Sequence, residues 1–427
     1  MIVALALALQ VATAPVPDSL PVVTLGEALA RSARLDPNYV AALGQIDNAE
    51  WGRRAARFAF ILPSVTATSD ITKNSIPSFN IGTGQPQSTS VTARLTAQYE
   101  LFSLRKIAEL SRTGAEVDLA RAEEVQARFA SAVLTESDYS AVLAGREFAR
   151  SAADRVRRAE EGLALARARV ASGAAVQSDS LQFVLELSRA RVDLLRQATA
   201  FRVAQLDLGR RIGAETAVDA APLDTAVAPE LAVPLDEALR LALEQGPAYQ
   251  AARAAERASA AVLRARRGEY FPTLNLSGSH SRFDSEFFPN ARNVSSVTLG
   301  LTFPLWNNGQ REIGISQARV SRDVARAIRA DLERGARADV TEAYEAYATA
   351  RATVALSETG LVVARENFRV QESRYRAGAT TILDLLDAQV SLTQAEVDLV
   401  QARYGTRLAL AGLEAILGRR LFPGNTQ

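Results

Sequence analysis

Apolar positions recur with a period of seven through two long, proline-free parts of the chain. Leu385, Leu392 and Leu399 form one row, and Val390, Val397 and Tyr404 a second. The pairs Leu187/Leu194 and Leu185/Val192 repeat the arrangement earlier in the sequence. Heptad spacing predicts packed, supercoiled helices, and two rows on one helix predict neighbours on both sides. A coiled coil with one broad seam also fits, but a helix in the wall of a cylinder fits better, because it packs left and right and meets water on its other two faces.

The spans that carry these rows are rich in Ala, Leu, Arg, Glu and Gln, the strong helix formers. They predict helices over about Leu104 to Ala171 and Arg311 to Ala377, each on the order of 100 Å long at ~1.5 Å per residue. Each ends at a glycine, Gly173 or Gly378, and a second helix follows, from about Gln177 to Ile212 and from Ile382 to Leu417. Those second helices run into Gly213 and Gly418, and glycine is a frequent helix stop. Shorter helical stretches precede each long pair. Leu25 to about Leu62 matches Leu235 to about Phe271, each broken at a proline (Pro37, Pro247) and each ending just before another (Pro63, Pro272).

Between the short and long helices the period changes to two. Four segments, 64–72, 90–99, 273–283 and 295–303, alternate polar and apolar residues and predict two β-hairpins. Their length suits a strand crossing an outer membrane, ~9–11 residues. The stretches from Lys73 to Thr89 and from Asp284 to Asn293 are polar and turn-rich and are predicted as loops. Four strands cannot close a barrel, and an open sheet edge cannot sit in lipid with its backbone groups unpaired. The strands must therefore be shared among several chains, and a trimer would supply twelve.

The chain thus divides into a first repeat over 15–221, with a β-hairpin at 64–100 and a long helical hairpin at 104–212. A proline-containing linker at 222–234 leads to a second repeat over 235–418, with its β-hairpin at 273–304 and helical hairpin at 310–417, and then a tail at 419–427. Residues 1–14 have an apolar run and the small-x-small sequence Ala12-Thr-Ala14 of an export signal. No later segment has the ~20 consecutive apolar residues of a transmembrane helix.

Composition removes most chemistry. Cysteine is absent and histidine occurs once, which excludes disulfides and thiolate metal sites and leaves little for a histidine-based triad. No cofactor, metal site or catalytic residue is predicted, and the chain does not read as an enzyme. With 49 Lys+Arg against 48 Asp+Glu there is no global basic field for nucleic acid.

A duplicated pattern of helix, strand hairpin, long helix, glycine turn and helix resembles the outer-membrane efflux protein family typified by TolC. The most specific part is Tyr375-Arg-Ala-Gly378 through Asp384-Leu-Leu-Asp387-Ala-Gln389 to Tyr404 and Gly418. Phe303-Pro-Leu-Trp306-Asn-Asn-Gly309 and the repeated Leu-x-Glu-Ala-Leu fit as well, although the first-half equivalent around Tyr99 lacks the glycine. The resemblance implies a mainly α fold with a β-barrel part. Long helical hairpins would form a periplasmic α-barrel beneath a twelve-stranded β-barrel in the lipid of the outer membrane, made by a homotrimer. It implies a passive exit duct joined through a periplasmic adaptor, the membrane fusion protein, to an inner-membrane pump of RND or ABC type, serving efflux or type I secretion. It also places the two glycine turns, with Gly173, Gly378 and Thr380, at the periplasmic tip where the adaptor docks and the pore closes. A soluble coiled-coil scaffold without a pore is the competing reading, but it leaves the strand hairpins and the paired glycine turns unexplained.

On a helix Asp384 and Asp387 share a face, and threefold symmetry would turn them into stacked acidic rings that attract cations. They also suit a helix start capped by Thr380 or Thr381. By position Asp179 and Tyr375 resemble the family's gate-holding hydrogen-bond partners. Relatives of the TolC type carry an arginine two residues after the turn glycine, where this chain has Thr380, so that ion pair is absent or rebuilt from Arg376. Gly173 and Gly378 supply the positive φ of a tight turn. Phe102 and Trp306 are assigned to the collar where sheet becomes helix, in preference to a membrane-interface belt. His280 is a solvent-facing or interfacial strand residue, and the arginines near 150 to 169 are solvated barrel surface.

Overall fold

The computed structural model describes residues 20–80, 85–223, 230–231, 233–284 and 292–422. The export-signal segment and most of the loop between residues 284 and 293 lie outside them. The chain starts with a two-residue strand β1 (Val22–Val23) and helices α1 (Leu25–Ser32) and α2 (Pro37–Ile61), followed by strands β2 (Ser64–Asn80) and β3 (Gln85–Phe102). Helices α3 (Leu104–Ala171) and α4 (Gln177–Arg211) complete the first repeat. After β4 (Asp219–Ala220) come α5 (Leu235–Gln245), α6 (Pro247–Arg267), β5 (Thr273–Asp284), β6 (Arg292–Thr302), α7 (Gln310–Arg376) and α8 (Ile382–Leu417). The duplication is complete, element for element.

Local chemistry sets the boundaries. The Asp36 carboxylate accepts from the backbone N–H groups of Asn38 and Tyr39, and Pro37 occupies the first helical position, where its missing N–H costs nothing. The predicted proline breaks are therefore the α1/α2 and α5/α6 junctions. The Ser103 hydroxyl caps α3 by accepting from Lys106 N–H at 3.2 Å.

The sheet departs from expectation in one respect. Residues 73–80 and 85–89, predicted as loop, extend β2 and β3 to 17 and 18 residues, with a register shift between Lys73 and Ser78. Polarity hides the strand here: Lys73 pairs with Thr89 and Ser78 with Gln87 on either side of an irregularity that holds Asn74, because a two-stranded ribbon satisfies its backbone whatever its side chains face.

The four strands form one antiparallel sheet in the order β2-β3-β5-β6. Register sorts the side chains by face. Val65, Ala67 and Ile71 pair with Ala97, Leu95 and Val91, and beyond them lie Leu276, Leu299, Val297 and Leu301. The other face holds Thr66, Thr68, Asp70, Arg94, Thr96, Ser277, Ser279, Ser296 and Thr298. Much of the apolar face is exposed: Val65, Ile71, Leu95, Val297, Leu299 and Leu301. Both outer strands, β2 and β6, have one edge unpaired among the described residues.

The helices stand side by side. Nearest the sheet α3 packs between α2 and α6, and α6 against α7; farther away α3 packs between α4 and α8, and α8 against α7. The side edges of the chain are thus α2 and α4 on one flank and α7 on the other. One heptad row on α8, Leu385, Leu392 and Leu399, is buried within the chain. In the second row Val390 is 56% exposed while Val397 and Tyr404 are half-buried, and in the first repeat Leu185 and Val192 are 50% and 48% exposed. On α7, Leu356, Val363 and Val370, again seven apart, are exposed too.

Two small cores sit at mid-height. In the first, Tyr139 is buried with Val23, Leu25, Val142, Leu208 and Val218. Its hydroxyl donates toward the Ala221 carbonyl at 2.8 Å, with the Val23 carbonyl at 3.0 Å, bridging the parallel β1–β4 pair; burial pushes the phenol up to about 12. In the second, Leu241, Val340, Leu413 and Leu417 pack together. Arg420 joins the repeats by pairing with Glu136 of α3 at 2.6 Å and Glu414 of α8 at 2.8 Å.

Candidate functional site

The far ends of the two helical hairpins come together. α3 ends in a Schellman motif, in which Ala174 N–H donates to the Arg169 carbonyl at 2.8 Å and Gly173, at φ 75°, donates to Val170. α7 ends identically, with Ala379 donating to Arg374 at 2.8 Å and Gly378 at φ 76° donating to Tyr375. At each turn the arginine four residues before the glycine folds its guanidinium over the carbonyl after it: Arg169 on Ala174 O at 3.1 Å, Arg374 on Ala379 O at 3.3 Å.

The two tips are fastened to each other through Tyr375, which is 1% exposed. Its ring lies 6.2 Å from that of Phe183 on α4, tilted by 58°, in a cluster with Leu163, Leu187, Ile382 and Leu385. Its hydroxyl donates to Asp179 Oδ2 at 3.4 Å, so the structure brings together the two residues paired from the sequence. Burial, and then the nearby Asp179 charge, raise the Tyr375 phenol above its ordinary value. Arg169 adds a second fastening, donating to the Tyr375 carbonyl at 2.5 Å with its guanidinium 4.5 Å from the ring centroid.

Of the two alternatives for the ion pair, absent or rebuilt from Arg376, the second does not hold: Arg376 pairs with Glu372 one turn back on its own helix at 2.6 Å. One expectation about arginines fails. The arginines near 150 to 169 are not all solvated surface. Arg155 pairs with Glu186 of α4 at 2.8 Å, Arg158 with Glu396 of α8 at 3.3 Å, and Arg169 crosses to Tyr375. Helical propensity and charge do not reveal which side of a helix faces a neighbour. The available signal was the matched Arg-x-x-x-Gly spacing at both tips.

Asp384 is bound into the start of α8. Its Oδ2 accepts from the Thr380 and Thr381 hydroxyls at 2.7 Å each and from Thr381 N–H at 3.1 Å, while Thr381 Oγ1 accepts from Asp384 N–H, which closes a capping box. These hydrogen bonds hold its carboxyl below the ordinary 3.8. Asp387, one turn on, is exposed and has no side-chain partner among the described residues. Leu383 and Val390 are exposed beside them, while Ile382, Leu385, Ala388 and Gln389 turn inward to the chain.

At the opposite end, where sheet meets helix, Lys106 Nζ lies 4.2 Å from the Tyr99 ring and 5.3 Å from that of Phe60, and Tyr99 donates to the Phe60 carbonyl at 2.8 Å. In the second repeat buried Arg311 lies 3.9 Å from the Tyr270 ring and donates to the Pro304 carbonyl at 3.1 Å. Phe102 ends β3, and Trp306 sits in the turn between β6 and α7; both are exposed. His280 is also exposed on β5, 2.9 Å from Ser295 Oγ. Among the described residues no helix is long and apolar enough to cross a membrane, and no acid, histidine or cysteine cluster could hold a metal ion.

Residues 25–214 and 238–419 each match the family described as outer membrane efflux protein. The outer membrane efflux protein BepC of Brucella suis is 26% identical over 185 residues, 43% of this chain and 41% of its own length. The chain therefore aligns with less than half of that relative. The cobalt-zinc-cadmium resistance protein CzcC of Cupriavidus metallidurans is 26% identical over 411 residues, 93% of this chain and 90% of its own. Among solved structures, the outer membrane protein VceC of Vibrio cholerae superposes with a TM-score of 0.77 at 17% identity, covering 93% of this chain and 97% of that one.

Proposed function

Because the chain belongs to the outer membrane efflux protein family, and with it to the outer membrane, with most of its length in the periplasmic helices, we propose that it is the passive exit duct of a tripartite efflux or secretion system. Three copies would close a twelve-stranded barrel above a helical barrel. The observation that carries this reading is the sheet: an apolar exposed face, a polar face behind it, and two unpaired edges. An open edge in hydrocarbon leaves several backbone groups without partners, each at a cost of several kcal/mol, and only closure removes that cost. The exposed heptad rows on α4 and α7 support the same ring, because they lie on opposite flanks and can meet only between different copies.

In this reading the far tips form the pore's periplasmic end. Asp384 and Asp387 ring the constriction, with Asp387 the freer carboxylate because Asp384 is held by its cap. Tyr375–Asp179 and Arg169–Tyr375 hold the second hairpin against the first, and Arg169 supplies the cation that Thr380 does not. The turns at Gly173, Gly378 and Thr380 present their backbone to a periplasmic adaptor, which links the duct to an inner-membrane pump of RND or ABC type. Phe102 and Trp306 belong to the collar beneath the sheet. No residue is asked to make or break a bond.

The test is assembly and conductance. The full chain purified in detergent should have the mass of three copies and, inserted into a planar bilayer, give discrete conductance steps. A monomer without conductance refutes the duct and favours a scaffold.

A further inference from the structure

Helix α6 carries a row of cations that the duct reading leaves unused. At ~100° per residue, Arg253, Arg257, Arg264 and Arg267 fall within about 80° of one another and extend over ~21 Å of helix. All four side chains are without an acidic partner among the described residues; the one acid on α6, Glu256, is taken by Arg329 of α7 at 2.6 Å. Exposed arginines without an acidic partner among the described residues occur on other helices too, Arg319, Arg326 and Arg337 of α7 among them, so the α6 row stands out by its four members and its place beneath the sheet. Others pair one turn away, as Arg240 does with Glu237, Arg369 with Glu366 and Arg376 with Glu372. The helix macrodipole favours cations in the last turn, which suits Arg264 and Arg267, but it does not reach Arg253 and Arg257.

The row's side of the wall follows from its surroundings. Ser64, Gln98 and Glu100 share a groove with Arg105 and Glu109 of α3, and Arg105 pairs with Glu100 at 3.3 Å. Tyr99, in the same groove, belongs by register to the apolar face, and Ser64, Gln98 and Glu100 to the polar one; the Arg105–Glu100 pair ties the Arg105 edge of α3 to the polar side. A second groove joins Arg105, Glu109 and Arg112 to Val262, Arg266 and Glu269. On α6, Val262 and Arg266 are about 180° and 220° from Arg253. The arginine row therefore looks out on the side of the apolar strand face. Since α6 is flanked by α3 and α7 of its own chain, ring closure by further copies leaves this face open.

Five residues, 268–272, separate Arg267 from the start of β5, a rise of at most about 16 Å. That is comparable with one leaflet's polar layer of ~5–8 Å plus a long side chain that snorkels toward it. Resting on the outer-membrane reading, we propose that the α6 row, led by Arg264 and Arg267, docks the phosphate headgroups of anionic phospholipids in the periplasmic leaflet. Lipid is the occupant that the position selects. The row begins where the lipid-facing apolar surface ends, and guanidinium groups bind phosphate through paired N–H donors.

The test is native mass spectrometry of the full chain in detergent, titrated with phosphatidylglycerol or with phosphatidylethanolamine. At about fivefold per arginine, R264Q/R267Q should bind phosphatidylglycerol roughly 30-fold more weakly. R264K/R267K, which keeps the charge and loses the paired donors, should bind more tightly than R264Q/R267Q and more weakly than wild type, and added salt should weaken binding in wild type. Equal retention of the two lipids by wild type, or an unchanged affinity in R264Q/R267Q, overturns the proposal. Displacement of the lipid by equimolar inorganic phosphate also overturns it, by showing a free-anion site. Oligomeric mass and bilayer conductance of the same preparation report separately on the duct, so the two readings fail independently.

Discussion

Replacing Arg169 by methionine keeps the aliphatic stem and removes the cation that crosses between the tips. Three contacts are lost: the 2.5 Å bond to the Tyr375 carbonyl, the 3.1 Å bond to the Ala174 carbonyl, and the guanidinium 4.5 Å from the Tyr375 ring. A hydrogen bond from a charged donor contributes ~1.5–3 kcal/mol net when partly buried, and a cation–π contact at a half-exposed site ~0.5–1 kcal/mol. The bond to Ala174 is exposed and adds little. Desolvation of the guanidinium offsets part of the sum, which leaves about 2–3 kcal/mol holding the second hairpin tip against the first. That corresponds to a 30- to 150-fold shift in the opening equilibrium of the tip. Hydrogen exchange reads it directly, because Ala379 N–H is protected by its 2.8 Å bond to Arg374 O and is released when the turn opens. Exchange at Gly378 and Ala379 should accelerate by at least tenfold in R169M, while amides in the Tyr139 core are unchanged. Exchange within threefold of wild type at the tip would show that the Arg169 contacts do not hold it, whatever their distances.

Substituting alanine for both Asp384 and Asp387 should change single-channel conductance or cation selectivity in a planar bilayer, and unchanged values would remove both residues from the constriction. T381A deletes the N-cap of α8 and should cost about 1 kcal/mol of local stability, read as faster amide exchange over 382–385. Because the folded Asp384 carboxyl lies below its ordinary 3.8, its stabilising effect is complete above that pH and fades as the pH falls through the folded value; T381A should flatten this acid dependence. R420A leaves half-buried Glu136 and buried Glu414 without their shared cation and should cost about 3 kcal/mol in thermal unfolding, the lower end of the range for a broken buried pair because Arg420 is partly exposed. Burial already raises the Glu136 carboxyl above 4.5, so the opposite sign applies there: acidification relieves it, and the R420A deficit should shrink between pH 7 and pH 5. A deficit that does not vary with pH would place the cost in lost packing.

Helix ends were legible to within a residue or so because glycine, proline and capping residues act through local backbone geometry, which a sequence states directly. Gly173 and Gly378 had to be turns, since only a residue tolerant of positive φ closes a Schellman motif without strain. The sheet was legible in its core, where polar and apolar residues alternate, and illegible at the distal ends of β2 and β3, where Asn74, Ser75 and Ser78 look like loop residues. Side-chain pairing between tips was only half legible. Tyr375 and Asp179 could be matched by position, but Arg169 could not, because its role depends on which neighbour stands beside α3.

The heptad rows and the arginine row teach the same lesson from opposite directions. A row such as Leu385, Leu392 and Leu399 is satisfied inside the chain; Leu185 and Val192, chemically no different, are not. The sequence predicted two neighbours per helix without saying which would come from the same molecule. Packing answers that, because α4 and α7 each lie on a flank with one apolar row left over, and apolar surface left over on opposite flanks calls for a copy of the chain. The four arginines of α6 are left over in another sense: their helix already has both neighbours, so no further copy can cover them, and their charge calls for a partner outside the ring.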